Sequence, residues 1–138
     1  MNEEAKKWVK FLKTNPKKET GQLMDQSKRK RCCLGWALKT LKTDLKEYNL
    51  EETGLSGNTQ GQLNYKEAHL LGLRSTTGFI DEAGDLTYKG ELIHIERGEF
   101  EGDAASSLAE INDFTDFNHK QIAEVIEENQ EFLFQREA

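Results

Sequence analysis

Proline occurs once in this sequence, at Pro16, cysteine only as the adjacent pair Cys32-Cys33, and histidine at three scattered positions. Each scarcity excludes something. No apolar run approaches the ~18 residues that span a bilayer. The charged start Met1-Asn2-Glu3-Glu4 also lacks the apolar stretch and small-residue cleavage site of a secretory signal, so a cytoplasmic location without membrane association is expected. Adjacent cysteines hold their Cα atoms about 3.8 Å apart, short of the roughly 4.4 to 6.8 Å of an ordinary disulfide, which leaves two reduced thiols. His69, His94 and His119 are isolated, and neither cysteine has a ligand partner at zinc-site spacing, so no metal site is expected. The glycine-containing stretch 54–61 lacks the Gly-Lys-Ser/Thr ending of a phosphate-cradling loop, which argues against nucleotide hydrolysis. No cofactor is expected.

What is present describes a globular chain. With 138 residues, 36% hydrophobic and 32% charged, it can bury one core, so a single compact domain over 1–138 is expected. Charge is divided unequally: residues 1–50 carry 13 Lys or Arg against 6 Asp or Glu, and residues 51–138 carry 6 against 19. The basic N-terminal part is therefore net +7 and the acidic C-terminal part net −13. Lys6, Lys7, Lys10, Lys13, Lys17, Lys18 and the run 28–31 suit a phosphate-bearing partner, or equally the acidic part of the same chain.

Periodicity places the elements. Ala5, Trp8, Val9 and Leu12 share one face of a helix over 3–13, which Asn15-Pro16 ends. Leu34, Leu38, Leu41 and Leu45 recur at i, i+4, i+7 and i+11, predicting an amphipathic helix over 31–47 with Lys39, Lys42 and Lys46 on other faces. A short helix over 65–71 stops at Gly72, a suitable C-cap. Residues 77–97 read as short strands around 78–81, 85–88 and 91–96, separated by Ala83-Gly84 and Lys89-Gly90. There His94 shares a face with Leu92 and Glu96, as a half-exposed sheet histidine rather than a catalytic base. Helices over 104–111 and 119–134 follow, the second buried through Ile122, Val125, Ile126, Phe132 and Leu133 and opened by the capping box Asn118-x-x-Gln121. Between them, 112–117 reads as a turn, with Asn112 suited to a left-handed conformation and Asp113 to bonding nearby backbone, in preference to Asp113 and Asp116 acting as paired acids. An apolar face around Phe132 and Phe134 would favour self-association. The expected fold class is α+β, about five helices packed with a small antiparallel sheet over residues 77–97.

Candidate chemistry centres on two neighbouring groups. Cys32 and Cys33 stand behind four cations that would depress a thiol pKa, so a small cysteine-dependent enzyme with a histidine brought close by folding is one reading. The leucine period assigns them instead to the packed first turn of a helix, flanked by Ala37, with Gly35 letting another element approach. Lys28, Arg29, Lys30 and Arg31 lie outside that stripe and form the candidate anion site, since guanidinium pairs bidentately with phosphate. Nucleic acid is disfavoured as a partner because Trp8 and Phe11 occupy apolar helix positions. The helix, turn and helix ending in Gln121-Ile122-Ala123 meets the same objection, since Glu124, Glu127, Glu128 and Glu131 oppose a polyanion. Mimicry of a nucleic-acid surface by the acidic part is an alternative, although solvated helix faces explain most of its charge.

The order Lys7-Trp8-Val9, Cys32-Cys33-Leu34-Gly35, Leu70-Leu71-Gly72-Leu73, Leu108-Ala109-Glu110-Ile111-Asn112-Asp113 and Gln121-Ile122-Ala123-Glu124-Val125-Ile126-Glu127 resembles a family of small bacteriophage and prophage proteins of unknown function. That family shares a Cys-Cys-Leu-Gly segment and a Leu-Asn-Asp turn before a helix beginning Ser-Phe and carrying Ile-Ala. This chain departs from the pattern at Trp36, where a small aliphatic residue is usual, at Ile111 in place of leucine, at Asn118-His119 in place of Ser-Phe, and in its tail from Glu131 onward. The resemblance implies a phage-encoded accessory protein in the host cytoplasm, with no established reaction and no catalytic residues to carry over. The expected function is binding, for counter-defence or host takeover, of a host protein or an anionic small molecule; a minor virion component is a further alternative.

Overall fold

The computed structural model describes residues 1–20, 31–44, 63–79 and 85–135. Among them are six helices and a two-stranded antiparallel sheet, an α+β arrangement. Helix α1 (Glu3–Leu12) starts where the Asn2 side chain accepts the Ala5 amide at 2.8 Å, and it buries Ala5, Trp8, Val9 and Leu12 as its period demands. Asn15 turns the chain into Pro16 at φ 58°, a left-handed conformation that asparagine tolerates better than most residues.

Helix α2 (Cys33–Asp44) packs on α1 through Trp8, whose indole Nε1 donates to the Cys33 carbonyl at 2.8 Å, and through Phe11 against Trp36 at 5.2 Å between ring centroids. Helix α3 (Tyr65–Leu71) carries a capping box of Asn64 with Glu67 and ends at Gly72, which adopts φ 74° in the expected C-cap role.

The hairpin pairs β1 (Thr87–Tyr88) with β2 (Glu91–Leu92) through the turn Lys89-Gly90. Both turn residues have positive φ, 54° and 82°, matching the twist of a two-residue hairpin loop. Beyond it the expected alternation holds: Ile93 and Ile95 are buried, while Leu92, His94 and Glu96 face outward. The partner of this extension differs from the sequence expectation. Ile95 and Ala105 amides bond Asp103 and Ile93 carbonyls, so 102–105 pairs with 93–95, whereas Phe79 bridges to Ser107. The remainder of the first expected strand lies outside the described residues.

That pairing moves the next helix. Residues 104–107 are held extended, and α4 (Leu108–Phe114) begins only at Ser107, whose Oγ accepts the Glu110 amide at 3.1 Å. The expected turn at Asn112 is corrected for the same reason: Asn112 lies inside α4, fully buried, and the chain leaves the helix at Thr115. Helix α5 (His119–Glu128) opens with the Asn118–Gln121 capping box. The single long helix expected over 119–134 breaks at Asn129, and α6 (Gln130–Leu133) follows. Asn129 breaks it because its side chain serves the hairpin, donating to Thr87 O at 2.8 Å and accepting the Thr87 amide at 3.2 Å. Phe132, placed by its spacing on the apolar face of that helix, is exposed instead because the break at Asn129 resets the register, whereas Phe134 is buried against Leu73. One hydrophobic core draws on all six helices and on Ile93 and Ile95.

Candidate functional site

The cysteine pair sits at the start of α2 with two separate roles. Cys32 O accepts the Trp36 amide at 3.0 Å, which makes Cys32 the N-cap, and its Sγ accepts the Gly35 amide at 3.3 Å. The thiol thus stands where serine or aspartate usually caps a helix. Cys33 is fully buried, with Sγ 3.9 Å from Leu108 O. Burial pushes the Cys32 thiol up to about 11 and Cys33 also well above the usual thiol range, the opposite of nucleophile activation. Native protein is therefore expected to resist iodoacetamide at pH 8 at both thiols and to react at both in denaturant. Because the thiol acts as a cap, Cys32→Ser should retain stability where Cys32→Ala loses about 1 kcal/mol in urea melts.

A buried polar network joins this helix start to α4 and α5. Asn112 Oδ1 accepts the Cys33 amide at 2.9 Å, while its Nδ2 donates to Glu19 O at 2.8 Å and to Asp113 Oδ1 at 2.9 Å. His119, buried completely, has Nδ1 2.8 Å from Pro16 O and Nε2 3.4 Å from Asn112 Oδ1. Both oxygens only accept and the neutral ring has one N–H, so the proton sits on Nδ1 toward the shorter contact with Pro16 O, and the 3.4 Å approach of Nε2 to Asn112 Oδ1 is not a hydrogen bond. Burial lowers the His119 pKa from 6.5 to about 4; the Pro16 hydrogen bond works the other way, and the Lys18 charge adds to the lowering. Lys18 itself donates to Thr115 O at 3.1 Å and Phe117 O at 2.7 Å, closing the turn between α4 and α5. The Cys-Cys-Leu-Gly and Asn-Asp segments, far apart in sequence, therefore meet as structural partners.

Of the candidate anion site, Lys28, Arg29 and Lys30 lie outside the described residues. Arg31 is half-buried; its Nη1 donates to Gly35 O at 3.3 Å and its guanidinium lies 5.5 Å from the Trp36 ring centroid. Trp36 in turn donates from Nε1 to Lys17 O at 3.0 Å. The two charge poles meet within the chain at Lys13 and Glu127, 2.7 Å apart across α1 and α5.

The histidines are not brought together: His69 and His94 are exposed and His119 is buried. Among the described residues no group of three His, Cys, Asp or Glu side chains stands in a metal-holding arrangement. Asp113 and Asp116 do not act as a pair either, since Asp113 accepts from Asn112 and Asp116 accepts from Arg97 Nη1 at 2.9 Å.

The acidic helix does more than face solvent. Glu128 Oε1 accepts the Lys89 amide at 2.7 Å, and its Oε2 accepts the Gly90 amide at 3.2 Å and the Thr87 hydroxyl at 2.6 Å. Those hydrogen bonds, the Thr87 hydroxyl first, hold its carboxyl below the usual range. Glu124 accepts the Tyr88 hydroxyl at 2.6 Å, which raises the phenol pKa. Together they seat the hairpin on α5.

Beside that seat lies a groove of about 270 Å³, lined by Tyr88, Glu91, Leu92, Ile93, His94, Glu96 and Phe117. Tyr88 and Phe117 meet edge-on with centroids 5.1 Å apart. Sequence reading overlooked this place because it joins the hairpin to the turn before α5. It also overlooked Asn112, although Leu108, Ile111, Asn112 and Thr115 follow the i, i+3, i+4, i+7 spacing of one helix face. No family model, curated protein or solved structure matches this chain. The class defined by the structure is accordingly an α+β protein with six helices and one hairpin among its described residues.

Proposed function

We propose that the chain is a binding protein rather than an enzyme, an accessory protein of bacteriophage type that engages a basic host protein in the cytoplasm through its acidic C-terminal part. The observation that carries this reading is the exposure of large apolar side chains among carboxylates: Leu92 is 51% exposed, Phe100 56% and Phe114 40%. Phe100 projects from a segment that also holds Glu99, Glu101 and Asp103, all exposed. Apolar anchors set among mainly acidic side chains suit a protein partner of opposite charge. The roles of Cys32 as a helix cap and Cys33 as a core residue further support binding over thiol catalysis. The phage assignment rests on the resemblance of the ordered motifs.

The test is recovery of a tagged copy from bacterial cells, with retained proteins and released small molecules identified by mass. A basic protein retained by the wild type and lost on combining Phe100→Ser with Glu99→Lys and Glu101→Lys is the expected result. Loss only when positions 28–31 are neutralised would transfer function to an anion site, and turnover abolished by Cys32→Ser would make the chain an enzyme.

A further inference from the structure

The groove between the hairpin and the turn before α5 has a chemistry specific enough to name what enters it. Its volume of about 270 Å³ falls below the ~300–1,000 Å³ of pockets that enclose cofactors and drug-sized ligands, and suits one large side chain. Its floor is apolar, from Leu92, Ile93 and the rings of Tyr88 and Phe117. Its polar side chains present acceptors. Glu91 and Glu96 supply carboxylates, and Tyr88 has already committed its hydroxyl proton to Glu124. His94 Nδ1 lies 3.1 Å from Gly102 O, so in the neutral ring that nitrogen carries the proton and Nε2 is left as an acceptor. Tyr88 also attracts a cation from its own chain, since Lys89 Nζ stands 5.2 Å from the ring centroid, and Lys89 is not among the residues lining the groove. Two cations at the turn before α5 are engaged elsewhere: Arg97 bonds Asp116 and Thr115 O, and Lys18 bonds the Thr115 and Phe117 carbonyls.

We infer that this groove receives a single arginine side chain from a basic partner protein, with the guanidinium against the Tyr88 and Phe117 rings and paired with Glu91 or Glu96. Arginine fits better than lysine because its planar five-donor head both stacks on rings and bonds several acceptors at once, and because arginine is a frequent anchor in protein interfaces. The inference rests on the reading that the acidic part binds a basic protein, and it adds where the anchoring residue goes.

The probe is the blocked peptide acetyl-Leu-Arg-Leu-amide, titrated into the full chain while backbone amide resonances are followed by NMR. The expected result is saturable shifts at Leu92, Ile93, His94, Glu96 and Phe117 that weaken as salt rises. Replacing arginine by citrulline, which keeps the shape and removes the charge, should weaken binding about tenfold. Glu91→Gln combined with Glu96→Gln should weaken it about fivefold, while the carboxamide oxygen introduced at position 96 still accepts the Asp116 amide. Equal binding of the citrulline peptide, shifts centred elsewhere, or no shift at millimolar peptide would each overturn the inference. If the host partner is still lost with the Phe100, Glu99 and Glu101 variant in that event, the binding function stands and only the arginine groove fails.

Discussion

Replacing Asn112 by alanine is expected to lower the unfolding free energy by about 4 kcal/mol, the largest loss from any single polar substitution proposed for this chain. The Asn112 side chain answers two backbone groups that have no other partner described: the Cys33 amide at the start of α2 and the Glu19 carbonyl beside it. Deleting it strands the buried Cys33 amide at about 1–3 kcal/mol, gives up the part-buried bond to Glu19 at about 1 kcal/mol, and leaves a cavity among the residues that join α2, α4 and α5. Asn112→Asp separates the contributions. It keeps the acceptor for Cys33, loses the donor to Glu19, and brings a buried charge against Asp113. Urea melts should therefore place the aspartate variant below wild type at pH 7, with part of the deficit recovered in acid as the new carboxyl takes up a proton. Stability within 1 kcal/mol of wild type for Asn112→Ala would show that the network is not a structural tie.

His119 makes stability depend on pH, and the direction follows from its lowered pKa. The folded protein holds the ring neutral down to about pH 4, whereas the unfolded chain protonates it below 6.5. The unfolded state therefore binds the extra proton throughout that window, so the contribution is complete above pH 6.5 and is lost as pH falls through it. The shift corresponds to about 3 kcal/mol of stability lost by pH 4. Asp116 and Glu128, whose carboxyls are held low by hydrogen bonds, also lose stability in acid, so the difference between wild type and His119→Phe isolates the histidine. The phenylalanine variant gives up the hydrogen bond to Pro16 and should be about 1 kcal/mol weaker at pH 7. Its curve should then cross that of the wild type on the way down. Parallel curves from pH 7 to pH 4 would show that the ring is not held neutral.

The acidic helix shows why charge alone misleads. Counted along the sequence, Glu124, Glu127 and Glu128 make α5 look like a solvated or polyanion-mimicking face. In the fold, Glu127 takes Lys13 from α1, Glu124 takes the Tyr88 hydroxyl, and Glu128 closes the hairpin turn through two backbone amides. Their partners lie tens of residues away, and no local pattern encodes them. Glu99 and Glu101, in the loop that carries Phe100, are exposed as well.

Local signals were sufficient wherever a helix or turn depends on its own residues. The apolar spacing of α1, the asparagine cap at Asn118, the stop at Gly72 and the turn at Lys89-Gly90 could all be read along the chain, because capping and left-handed φ involve groups only a few residues apart. The same locality placed Cys33 in the buried stripe of α2. What the chain could not announce were the points at which a polar side chain abandons its local role for a distant one. Asn112, a good turn former, became a helical core residue because the Cys33 amide and Glu19 carbonyl required it there. Asn129 broke the last long helix to serve Thr87, 42 residues away in sequence. Periodicity selects the buried face of each element, but the unpaired backbone groups at the ends of other elements select the polar residues that join them, and those ends meet only after the chain has packed.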